Sequence, residues 1–416
     1  MRPINSHLCL RARSYIAASS VLLGASLAGA QSGGTWTVIN LSPAGSEYAD
    51  VLGVHAGQQA GVARTSNAYA SMWNGSAASW VNLLNLADRP NEGGTSFASA
   101  VHSGQQVGAR VTDDSFYARL WTGSASSWID LNPSGAIQSQ ALGVWDGRQV
   151  GAVAFENNAT GNFSRASMWF GSAESRVNLH PPGGTASEAW GIDAAQQVGY
   201  VRTLPSGATI DHAALWTGTS GSFVDLHPVG PLHSYAQGVH NGQQVGITVF
   251  APSFEGHASV WSGTAASWVD LHPAGALYSR GFAVYDGTQV GYVRFQGQAE
   301  RAALWNGTRE SRVDLHAILP PDYASSEAHC ITRQGRVTTI GGNGYNWRNN
   351  HLEALLWVYT APCAADFNGD DAVNSQDFFD FLAAFFSDAP AADVNADSVV
   401  TSQDFFDFVA AFFAGC

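Results

Sequence analysis

The chain has 416 residues, 45% hydrophobic and only 12% charged, with 45 glycines and a net charge of −14. That length suits roughly two or three domains with packed cores, and the glycine content favours short strands and tight turns over long surface helices. Every basic residue is arginine, and from Ala361 to Cys416 there are ten aspartates and no arginine, which argues against a nucleic-acid partner.

The N-terminus reads as a secretory signal over residues 1–30. Arg2, Arg11 and Arg13 form a basic start, Tyr15 to Leu27 an apolar stretch, and Ala28-Gly29-Ala30 a small-residue cleavage site. The stretch is short for a membrane span, and no later segment reads as one. The expectation is a mature chain without a transmembrane segment, secreted or held at the cell surface.

From residue 31 to 360 the chain repeats itself. An Ala-x-x-Trp signature ends at Trp73, Trp121, Trp169, Trp216, Trp261, Trp305 and Trp357. An xQVG-like element ends at Gly61, Gly108, Gly151, Gly199, Gly246 and Gly291, with a weaker version at Gly341. A WVDL-like strand starts at Trp36, Trp80, Trp128, Arg176, Phe223, Trp268 and Arg312. Each copy offers four short strands in about 45 residues, the size of a propeller blade. The first WVDL-like strand has no earlier strands of its own, and the last copy lacks one. The predicted fold class is therefore mainly β, a seven-bladed β-propeller closed by an N-terminal strand. An open β-solenoid, the alternative, leaves that strand unexplained.

These copies resemble the bacterial extracellular HAF repeats, with "HAALW" (His212 to Trp216) and "HASVW" (His257 to Trp261) the nearest matches. The resemblance implies a secreted repeat protein and implies no reaction. "DLH" at Asp225-His227, Asp270-His272 and Asp314-His316, with "NLH" at Asn178-His180, invites a metal or acid–base reading. The competing reading is a strand-end Asp bonding turn amides, with each histidine in a separate blade. Ligand recognition is expected instead where the copies differ, in the SxAxGV strand: Asp50, Glu188, Trp190, Tyr235, Arg280 and Glu327. Such a ring of acids, a cation and aromatics suits a glycan or a peptide.

The tail, residues 361–416, changes character. "DFNGDDAVNSQDFFDF" from Asp366 and "DVNADSVVTSQDFFDF" from Asp393 each place oxygen donors at calcium-loop spacing. The first set is Asp366, Asn368, Asp370, Ala372 (carbonyl), Asn374 and Asp377. The second is Asp393, Asn395, Asp397, Val399 (carbonyl), Thr401 and Asp404. Two Ca²⁺ sites are expected, the first nearer the ideal pattern. A helix follows each loop, with Phe378, Phe381, Leu382, Phe385 and Phe386, then Phe405, Phe408, Val409, Phe412 and Phe413, as apolar stripes.

This tail resembles the type I dockerin, a small α-helical calcium-binding domain. It departs from the pattern at position six, Asp371 and Ser398 in place of glycine, and at Thr401. The resemblance implies that Ser375-Gln376 and Ser402-Gln403 face a cohesin-like or cell-surface partner. It also implies that the module's ends meet, pairing Cys363 with Cys416, while Cys330, which stands in "SEAHCI" where other copies have Gly or Ala, reads as a buried free thiol. The function expected from the whole is an exported, non-enzymatic binding or scaffold protein. The alternative is a secreted polysaccharide-active hydrolase or lyase tethered by its tail.

Overall fold

The computed structural model describes residues 34–84, 94–112, 115–155, 157–158, 161–162, 164–203, 209–370, 372–395, 397 and 399–415. The proposed signal segment, Asp371, Ser398 and Cys416 lie outside them. The chain divides into two compact units. The first holds Val38–Thr332 and Thr339–Trp357; the second holds Val358–Cys416 with the short pieces Gln31–Thr37 and Arg333–Thr338.

The fold is mainly β. Five four-stranded antiparallel sheets follow the chain in simple order, such as Ala186–Asp193, Gln196–Thr203, Ile210–Trp216 and Val224–Asp225. An eight-stranded sheet combines two more four-stranded groups, joined by a single parallel bridge between Tyr48 and Leu352. One of these groups is Tyr48–His55, Gln58–Arg64, Ala68–Trp73 and Val81–Asn82. The other is Tyr323–Gln334, Val337–Asn346 and His351–Thr360, with Thr35–Asn40 paired to the last of these. The orphan N-terminal strand thus completes the last group. Each four-stranded sheet is an open meander, and among the described residues no sheet closes on itself.

A bulge in the first strand of each of the first six groups explains the repeat's glycine. In the fourth group the register runs Ala189 opposite Gly199 and then Gly191 opposite Val198, so Trp190 is the extra residue. The bulge pushes the Glu188 carbonyl onto Gly199, where a Cβ would sit 1.9 Å from that oxygen. Gly61, Gly108, Gly151, Gly246 and Gly291 meet the same constraint. In the last group the residue so placed is Gly342, 2.0 Å from the Glu327 oxygen, and not Gly341 as the sequence pattern suggested. The hairpin there runs on to Gln334 before turning, which moves the landmark by one residue.

The seven Ala-x-x-Trp tryptophans are all fully buried. Each of five packs into the preceding group: Trp216, for example, lies with Val150, Met168 and Leu179, and Trp169 with Val107, Leu120 and Leu131. They are cores between sheets rather than ligand platforms.

A polar clasp accompanies each core. Buried Ser234 accepts the Ala213 N–H of the preceding group at 2.8 Å, and its hydroxyl meets His227 Nδ1 at 2.8 Å. The pairs Ser187–His180, Ser279–His272 and Ser326–His316 repeat the device, and Ser139 uses Asn132. The aspartates of the DLH runs accept turn amides, as Asp225 does from His227 N–H at 2.8 Å. The strand-end reading of these motifs therefore describes the geometry. Ser234→Ala strips a buried N–H and a half-buried imidazole of their partner together. It is expected to cost about 2 kcal/mol, read as a lower urea midpoint with an unchanged slope.

The second unit carries two helices, α1 (Ser375–Phe386) and α2 (Ser402–Ala414). Phe381 and Phe408 are fully buried and stack at 3.9 Å between ring centroids, 7° from parallel. Phe367 and Ala392 complete this core with Phe378, Phe385, Phe405 and Phe412 around it. Phe386 and Phe413 depart from the expected stripe. At the last turn of each helix they are exposed, because the stripe has by then rotated past its neighbour.

Candidate functional site

In the first unit, first strands of successive groups touch at backbone level. A Cβ on Gly191 would meet the Gln237 carbonyl of the next group at 2.9 Å, and one on Gly238 the Phe282 carbonyl at 2.8 Å. Residues at equivalent positions of these strands are thereby brought side by side. The six residues singled out from sequence sit among them. Asp50, Glu188 and Arg280 are buried, while Trp190, Tyr235 and Glu327 keep partial exposure.

Two clusters form. In one, Glu188 accepts from Trp190 Nε1 at 2.9 Å and from the Tyr200 hydroxyl at 3.3 Å. Burial raises the Glu188 pKa, and these donors only partly offset it. Trp190 stacks near Tyr235 at 5.9 Å, and the Tyr235 hydroxyl donates to buried Asp211 at 2.8 Å. Asp211 is held by Arg202 through two bonds of 2.7 and 2.9 Å.

In the other cluster, His329 lies between two acids. Its Nδ1 meets Asp50 and its Nε2 meets Glu327, each at 3.1 Å. Burial disfavours a charge here, yet Asp50 and then Glu327 outweigh it and raise the imidazole to about 10. Phe282 packs edge-on against His329 at 4.9 Å, and the Arg280 guanidinium lies 4.8 Å over the Phe282 ring. Buried, free Cys330 is the neighbour of His329 and approaches the Val51 carbonyl.

A third constellation was missed by sequence reasoning. Of the residues ending the first strands of the first six groups, His55, His102, Trp145, His240 and Tyr285 form a chain of rings, and Asp193 lies against His240. His55–His102 centroids are 4.0 Å apart, His102–Trp145 4.3 Å, Trp145–His240 6.3 Å and His240–Tyr285 4.1 Å. His55 and His102 each accept, through Nδ1, an N–H from the turn of the next group. Burial and then neighbouring His55 lower His102 to about 4, whereas its hydrogen bond to Asp193 raises His240. The signal was a column of the repeat occupied by planar rings in five of these six copies, two residues past the bulge glycine or alanine.

In the second unit the loops fold alike. Asp377 accepts N–H groups of Asn368 and Asn374 at 3.2 and 2.9 Å, and Asp404 those of Asn395 and Thr401 at 3.2 and 2.7 Å. Asn374 and Thr401 cap α1 and α2, each in a reciprocal capping box with the aspartate three residues on. The amide of Asn374, first, and then others hold the Asp377 carboxyl below its ordinary range; Thr401 does the same for Asp404. Both carboxylates are covered by a thin shell made of their own loops. Capping does not require Asp366 and Asp370 to approach, yet Asp366, Asp370 and Asp377 bring carboxylate oxygens within 4.8 Å of one another. Three carboxylates with carbonyl and amide oxygens around them form an all-oxygen donor set, which fits a hard divalent cation. Ser375, Gln376, Ser402 and Gln403 are all exposed at the starts of the helices.

No family model matches the chain, and no curated protein does. Similar solved structures include the β-propeller domain of the Trilobed protease from Pyrococcus furiosus. It is 9% identical, with TM-score 0.46, over 76% of this chain and 94% of that one. TolB from Acinetobacter baumannii is 9% identical, with TM-score 0.37, over 72% and 79%. A puromycin hydrolase is 12% identical, with TM-score 0.47, over 74% of this chain but only 53% of its own. Likeness at this level carries no argument for a shared activity.

Proposed function

We propose that the chain is an exported, non-enzymatic binding protein. A seven-bladed propeller, closed by strand Thr35–Asn40, presents a recognition face to a glycan or peptide. A calcium-stabilised, dockerin-like tail docks it to a cohesin-like or cell-surface partner. The observation that carries this reading is the tail: two loops of the same hydrogen-bond pattern, one gathering three carboxylates within 4.8 Å, each capping a helix of one small shared core. Asp366, Asn368, Asp370, the Ala372 carbonyl, Asn374 and Asp377 would hold the first Ca²⁺, and Asp393, Asn395, Asp397, the Val399 carbonyl, Thr401 and Asp404 the second. Pairing of Cys363 with Cys416 belongs to the same reading, as the dockerin resemblance implies.

Support for ring closure comes from His329 and Cys330 in the last group reaching Asp50 and Val51 in the first. The enzymatic alternative asks for two carboxylates flanking an open space. Asp50 and Glu327 flank the His329 ring instead. Trp190, Tyr235 and Glu327 are the members of the face with surface left for a ligand.

The test is calcium removal. Adding EGTA is expected to abolish the helical circular-dichroism signal of α1 and α2 while the β signal persists, and calorimetry should report two Ca²⁺ bound. Asp377→Ala should mimic EGTA at the first site. Helix content indifferent to EGTA would defeat the reading.

A further inference from the structure

The tail exposes more aromatic surface than a small soluble module normally leaves in water. Phe379 and Phe386 on α1 are 62% and 79% exposed, and Phe406 and Phe413 on α2 are 63% and 83% exposed. Each pair is seven residues apart, two turns, which sets the rings on one helix face about 10 Å from each other. Ser375 and Gln376 begin the same arc of α1, as Ser402 and Gln403 do on α2, by the 3.6-residue period. Gln376 Nε2 donates to Asp380 at 2.8 Å and Gln403 Nε2 to Asp407 at 2.8 Å, so an acidic edge runs beside each aromatic pair.

We propose that Phe379 with Phe386, and Phe406 with Phe413, are anchors that insert into a partner protein's groove with an apolar floor and a lysine- or arginine-rich rim. This rests on the docking reading above and names the partner's chemistry. Charge complementarity selects that occupant. Residues 361–416 hold ten aspartates and no Arg, Lys or His, so the aromatic faces sit in a field of one sign. A second copy would oppose acid to acid, and an anionic membrane would be repelled. A basic-rimmed groove satisfies the phenyl rings and the aspartates together.

The probe is a fluorescent amphipathic helical peptide with a leucine stripe flanked by Lys and Arg, beside a matched peptide flanked by Glu. Both are titrated into the full calcium-loaded chain and followed by anisotropy. The basic peptide is expected to bind and the acidic one not to. A Phe379→Ser, Phe406→Ser double variant is expected to bind the basic peptide at least tenfold more weakly, with unchanged helical signal because both positions face solvent. Equal binding by the variant, or by the acidic peptide, overturns the proposal. So does sedimentation of the wild-type chain as a dimer that the variant abolishes, which would make a second copy the occupant. The EGTA experiment fails separately: phenylalanine-dependent binding with a calcium-indifferent helix signal would remove the metal reading and leave this surface standing.

Discussion

Gly199→Ala is expected to prevent the first unit from reaching its native state, at a cost of about 4 kcal/mol or more. The added Cβ would fall 1.9 Å from the Glu188 oxygen, which is backbone and belongs to the bulge itself. No rotamer change relieves it. Relief requires undoing the bulge that sets Trp190 out of register, and with it the approach of Gly191 to the next group at Gln237. Gly218 makes the contrast. It has φ near 87° and nothing within 4 Å of a built Cβ. Gly218→Ala should therefore cost only the left-handed backbone penalty, about 1–2 kcal/mol. Thermal unfolding of the two variants separates steric from conformational need. Similar melting temperatures for both would refute the bulge account.

That contrast marks what the sequence made legible. The period, the four strands per copy and the buried tryptophans follow from residues that recur, because every group solves the same packing problem. The N-terminal strand's partner was legible from a missing element. The bulge was not, since Gly-for-sterics and Gly-for-turns look alike in one sequence. The Ser clasp was hidden for a related reason. In the first group its position is Ala49, and Ser42 takes over by accepting the Ala354 N–H at 3.0 Å. In the tail, spacing alone located the donors that converge, Asp366, Asp370 and Asp377. It misjudged Phe386 and Phe413, since a seven-residue helical stripe drifts and the eighth position falls off a small core.

The clasp histidines imply an acid-sensitive fold. His180, His227 and His316 are each lowered to about 4, by burial first, with Arg165, His212 and Arg301 respectively adding repulsion. The neutral ring satisfies this geometry: in His180 and His272 Nε2 lies 3.1 Å from a backbone carbonyl to which it can donate, which leaves Nδ1 to accept from the serine hydroxyl. A proton on Nδ1 would turn a donor against the hydroxyl that already serves the neighbouring sheet. These groups are bases with a depressed folded value. Between pH 6.5 and 4 the unfolded chain therefore binds more protons, and stability falls as pH falls through that window. For buried His316 the full loss corresponds to roughly 3 kcal/mol. His329 has the opposite sign. Raised to about 10, it stabilises fully below pH 6.5 and loses its contribution as pH rises through 10. The melting temperature should peak between these limits and drop steeply from pH 6.5 to 4. The third group supplies the control. Its clasp uses Asn132, which accepts from Ser139 at 2.6 Å and takes up no proton in this range. Replacing His180, His227, His272 and His316 by Asn should flatten the acid limb while leaving neutral stability within a few kcal/mol. An acid limb unchanged in that variant would show that these histidines do not hold the sheets together through their neutral rings.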